Sequence, residues 1–101
     1  MAVQCTVHDR RLTAVISGEV DHHGAREIMT RLEEEIGTAL PLRLTLDLSG
    51  VTFMDSSGLA VVVGAYKRMR ELDGSLRVTH AGAQPMKVFS AVRLDRLIPF
   101  G

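Results

Sequence analysis

Apolar and polar residues alternate over Val3–Val7 and again over Leu12–Ser17, with His8-Asp9-Arg10-Arg11 between the two runs. A period of two belongs to a half-buried strand, so the stretch predicts a β-hairpin or two adjacent strands. From Asp21 the period lengthens. Ala25, Ile28, Met29, Leu32 and Ile36 form one helical stripe, with Arg26, Glu27, Glu33 and Glu34 largely opposite. Asp21 is the natural N-cap of that helix, and Gly37 lies near its end. Pro41 then breaks the chain before a strand from Leu42 to Leu48, where Leu42, Leu44, Leu46 and Leu48 share a face.

That strand should end at the polar Ser49-Gly50. A Phe53-Met54 pair follows, and Asp55-Ser56-Ser57-Gly58 opens a second helix running from about Ser57 to Leu72. This helix is apolar nearly all round through Leu59–Ala65, which predicts a position between a sheet and something else. Gly58 would let a partner approach the helix start closely, and Gly64 would allow tight packing of helix on sheet. Asp73-Gly74 ends the helix. Leu76 and Val78 mark a fourth strand that could extend to His80. A short helix with Pro85 in its first turn and Met86, Phe89 and Val92 on one side comes next, then a last short strand from Leu97 to Phe100. The order β β α β α β α β predicts one α/β domain over residues 1–101. Its mixed sheet would have four to five strands, with about three helices and right-handed crossovers.

Composition narrows the function classes. A chain of 101 residues is one small domain, and 46% hydrophobic residues suffice for a core. No apolar run approaches the roughly 18 residues that span a bilayer, and the N-terminus has no signal-peptide pattern, so a cytoplasmic protein is expected. One cysteine, Cys5, allows neither an internal disulfide nor a cysteine zinc cage. Net charge is zero, but residues 1–40 hold seven acids and four bases, and residues 65–101 seven bases and three acids. Such asymmetry either orients a protein partner or reflects solvated helix faces. Only four aromatic residues are present and they do not interleave with bases, so no nucleic-acid partner is expected.

Ser56 and Ser57 stand at a helix N-terminus, where unpaired backbone N–H groups welcome an anion. A serine there serves as a cap, a nucleophile or a phosphorylation site. The nucleophile reading lacks support: Met54-Asp55-Ser56-Ser57-Gly58 misses the first glycine of G-x-S-x-G, and none of His8, His22, His23 and His80 has the context of a base. Adjacent His22 and His23 point roughly 100° apart on a helix, which suits exposed or docking residues better than a chelating pair. No phosphate-binding G-x-x-x-x-G-K-[ST] occurs. An aspartyl-phosphate receiver would want an acidic pair after its first strand and a lysine after its last, and neither is present. No enzyme activity, metal or cofactor is therefore expected.

The string DLSGVTFMDSSGL, followed by a small residue and an apolar helix, resembles the phosphorylation-loop motif of STAS-domain anti-sigma factor antagonists. Gly18-Glu19-Val20-Asp21-His22-His23, followed by an amphipathic helix, resembles a second signature, that of the sporulation members that counter an anti-sigma-F factor. With the element order, the resemblance covers nearly the whole chain. It implies a partner switch: the unphosphorylated protein binds an anti-sigma factor that is also a serine kinase, and so releases a sigma factor. Phosphorylation, implied here at Ser56, ends binding, and a PP2C-type phosphatase restores it. The docking face implied comprises Asp21, His22, His23, Asp55, Ser57, Gly58, Leu59 and Ala60. Ala60 stands where sporulation members tend to have glycine, and the C-terminal helix usual in the family is not seen before Gly101. A monomer is expected, with a dimer as the variant if an apolar face is left open. The alternative is a STAS scaffold or transport-complex subunit with no sigma-factor role.

Overall fold

The computed structural model describes residues 2–101. Strands β1 (Ala2–His8) and β2 (Arg11–Val20) form an antiparallel hairpin with His8 opposite Arg11. Its two-residue turn, Asp9-Arg10, has φ of 50° and 60°, the left-handed pair that matches the twist of a hairpin. Arg10 also pins this turn to the neighbouring loop. Its guanidinium donates to the Leu40 carbonyl (3.0 Å) and its own carbonyl accepts from Leu42 N–H (2.9 Å).

Helix α1 (His22–Ala39) leads into β3 (Arg43–Met54), and α2 (Ser57–Glu71) into β4 (Ser75–Thr79). The sheet order is β1-β2-β3-β4, with β2, β3 and β4 mutually parallel. Two successive crossovers stepping the same way put α1 and α2 side by side, in contact with each other and with the sheet. The core lies beneath them. Leu12, Ala14 and Ile16 of β2, Leu44, Leu46 and Leu48 of β3, and Leu76 and Val78 of β4 are buried against Ile28, Leu32 and Ile36 of α1 and Val61, Val62 and Met69 of α2. No polar or charged residue is fully buried among the described residues. The apolar belt of α2 is accounted for by its contacts with the sheet on one side and α1 on the other.

Several boundaries differ from the sequence reading. Gly37 lies in the last turn of α1, near the end as expected, but the left-handed residue that closes the helix is Leu40 (φ 45°), whose N–H returns to the Ile36 carbonyl. Leu42 precedes β3 and is 46% exposed, so it does not share the buried face of Leu44. Ser49-Gly50 is not a strand end: β3 runs on to Met54 because β2 offers it a partner as far as Val20, across two register shifts. Gly50 is needed for that pairing, since a Cβ there would lie 2.7 Å from the Ser17 Cβ. A Cβ on Gly64 would meet nothing within 4 Å, so helix–sheet packing does not require that glycine.

At the C-terminal end, helix α3 (Ala83–Ala91) buries Pro85 and Phe89, but Val92 is 56% exposed beyond its last turn. His80, with φ of 58°, falls outside β4. The expected last strand reduces to a single bridge between Val78 and Phe100, preceded by a 3-10 turn at Leu94–Arg96. Phe100 still packs on the core, its ring centroid 4.9 Å from that of Phe89.

Candidate functional site

Strands β2 and β3 end side by side, with Val20 paired to Met54, so the chain leaves the sheet twice at the same place. Both exits turn directly into helices. Asp55 N–H donates to the Val20 carbonyl (3.1 Å), tying the second exit to the first. The start of α1 (Asp21, His22, His23) and the start of α2 (Asp55 to Ala60) therefore form one surface, although more than thirty residues separate them in sequence. This is the carboxyl end of a parallel strand pair, where open α/β sheets carry their sites.

Each exit is capped by its aspartate. Asp21 Oδ1 accepts the Gly24 N–H (2.8 Å), and Asp55 Oδ1 accepts the Ser57 N–H (2.8 Å). The Asp55 carboxylate thus takes over the capping role that a serine commonly has. Ser56, at φ −63° and ψ −15°, has helical backbone angles, makes no side-chain cap bond and is exposed. Its hydroxyl is exposed at the positive end of α2, directly after Asp55. Ser57 and Leu59 are half-buried and Ala60 is exposed.

Gly58 is buried, and what approaches it is the chain itself. A Cβ there would fall inside contact distance of the Met54 Sδ and Cγ. Met54 is only 2% exposed, so this packing fixes the helix start over the strand end. His22 and His23 are exposed on the first turn of α1, and His23 Nε2 lies 3.0 Å from Glu27 Oε1. A shallow hollow of about 360 Å³ beside them is lined by Glu19, Asp21, His23, Gly24 and Glu27.

Two contributors were not picked out as site residues by the sequence reading. Beyond Asp47, β3 has no β4 partner, which would leave Met54's backbone groups unpaired. The Gln84 side chain pairs both: its Oε1 accepts the Met54 N–H (2.8 Å) and its Nε2 donates to the Met54 carbonyl (2.6 Å). A lone glutamine before a proline carries no sequence signal for this. Phe53 is the second, 45% exposed beside the loop. The sequence reading ended the strand at Ser49-Gly50, so it gave no face to Phe53, which lies in the extension of β3 to Met54.

The whole described chain, residues 2–101, matches the family model for the STAS domain. The chain belongs to the STAS domain family. Among curated relatives, an anti-sigma F factor antagonist of Paenibacillus polymyxa is 27% identical over 99 residues, 98% of this chain and 85% of the relative. An anti-sigma-B factor antagonist of Listeria monocytogenes is 31% identical over 84 residues, covering 82% of this chain and 72% of the relative. Among solved structures, the anti-sigma factor antagonist SpoIIAA in its unphosphorylated form aligns with a TM-score of 0.85 at 23% identity, over 99% of this STAS domain and 88% of that chain. The last comparison concerns the fold: the single α/β domain with its four-stranded mixed sheet is that of SpoIIAA. No helix among the described residues is long and apolar enough to cross a membrane.

Proposed function

We propose that this STAS domain is an anti-sigma factor antagonist switched by phosphorylation of Ser56. In the unphosphorylated form the surface shared by Asp21, His22, His23, Asp55, Ser57, Leu59 and Ala60 binds an anti-sigma factor with serine kinase activity and thereby frees a sigma factor. Phosphorylation releases the complex, and a PP2C-type phosphatase resets it. The chain acts as a kinase substrate and needs no cofactor. The relatives named as antagonists of anti-sigma F and anti-sigma B factors support this reading. The observation that carries it is the exposed Ser56 hydroxyl, free of any capping bond at the N-terminus of α2.

The energetics follow from that position. A phosphate adds about −1.5 to −2 charges at neutral pH. The N-terminus of α2 stabilises that charge by roughly 0.3–2 kcal/mol, and Ser56 contributes nothing to the core, so the domain stays folded. Across an interface the balance reverses. The dianion stands next to Asp55 and on the same surface as Asp21, and a partner fitted to a neutral hydroxyl meets a desolvated charge. A penalty of about 3 kcal/mol weakens binding by some two orders of magnitude. Ser56→Asp should keep the wild-type circular dichroism spectrum and lose affinity for the anti-sigma factor. Loss of the fold in that variant, or undiminished binding, would refute expulsion by charge.

A further inference from the structure

The face of the sheet that α1 and α2 leave uncovered carries a separate feature at the opposite end of β2 and β3. Because Leu12, Leu44 and Leu76 are buried beneath the helices, strand alternation directs Arg11, Arg43 and Arg77 to the other face, where all three are exposed. Register sets Arg11 directly beside Arg43 and Arg77 beside Thr45, which in turn neighbours Thr13. With Ser75 these residues line an open groove of about 570 Å³. The distance from Arg11 to the strand end at Val20 is about 30 Å at roughly 3.3 Å per residue, so the groove is remote from Ser56.

None of the three guanidiniums is in an ion pair among the described residues. The carboxylate that β3 contributes to this face, Asp47, is already engaged. It accepts the Ser49 N–H (2.9 Å) and lies 3.4 Å from His80 Nδ1. Like charges placed directly opposite on neighbouring strands repel, so the Arg11–Arg43 pair is a local cost that a bound counter-charge would remove.

We propose that this basic sheet face docks an extended acidic segment of a partner protein, independently of the Ser56 surface. The chemistry favours that occupant. Exposed arginines in an open groove give a small anion no desolvated pocket, and one exposed ion pair binds weakly. Several carboxylates spaced along one segment engage the three guanidinium forks and the threonine hydroxyls together. Nucleic acid is disfavoured because the face offers no aromatic side chain on which a base could stack.

The test is amide chemical-shift mapping of the whole chain with a short poly-glutamate peptide, with inorganic triphosphate in parallel. The expected result is saturable shifts at Thr13, Thr45 and Arg77 that weaken as salt is raised. Affinity should fall roughly tenfold or more in the Arg43→Gln/Arg77→Gln double variant, whose circular dichroism stays wild-type because both side chains are exposed. No shifts, shifts confined to the start of α2, or equal affinity in the double variant would overturn the proposal. Triphosphate binding as tightly as the peptide would also overturn it, by making the groove a small-anion site.

Discussion

Asp55 and Ser56 split between two residues the work that one serine does at many helix starts. The carboxylate satisfies the Ser57 N–H, which leaves the neighbouring Ser56 hydroxyl without a capping bond. Gln84 is the other decisive side chain, because it closes the two backbone groups on which the loop is anchored. Gln84→Ala should lower stability by about 1–3 kcal/mol in urea unfolding, since Met54's N–H and carbonyl are then left without partners. An unchanged midpoint would show that water replaces the amide. Asp47 gives a pH signature. Burial raises its pKa, but the Ser49 N–H and the His80 charge outweigh that and hold it below the ordinary 3.8. A carboxyl depressed in the folded state stabilises it above the unfolded value, and the contribution is lost as pH falls through the folded value. Unfolding of wild type and Asp47→Asn should therefore differ at neutral pH and converge in acid. A gap that widens in acid would contradict the assignment.

At the scale of elements, the α1 stripe and the β2 alternation were legible because burial on one face leaves a period in the sequence. Asp21 was legible as a cap for the same local reason. What was hidden is set by partners distant in sequence. Ser49-Gly50 looks like a turn in isolation, yet β2 extends β3 through it. Leu97 to Phe100 looks like a strand, yet it makes only one bridge, to Val78. Gly37 lies near the end of α1 as expected, yet it is Leu40, with no sequence signal for it, that adopts the left-handed closing angle. Two glycines make this distinction measurable. Gly50→Ala should destabilise by about 1–3 kcal/mol, because the new methyl collides with Ser17 across the sheet. Gly64→Ala should stabilise by about 0.5–1 kcal/mol, because α2 gains helix propensity and the methyl meets open space. Thermal unfolding of the pair reads both, and shifts of the same sign would contradict the packing described.

On the scale of the whole molecule, the parallel pairing of β2 with β3 does most for function. It turns two motifs distant in sequence into one surface and leaves the basic strand starts at the other end. The candidate site residues Asp21 and Asp55 to Ala60 were legible as motifs, while their adjacency depends on the Val20–Met54 pairing and the Asp55–Val20 hydrogen bond. We propose Ser56 as the phosphoacceptor of an anti-sigma factor kinase. The most direct measurement is the intact mass of the chain before and after incubation with such a kinase and ATP, with Ser56→Ala in parallel. One phosphoryl group added to the wild type and none to the variant is the result predicted. A wild-type mass that does not change, or an equal gain in both chains, would contradict it.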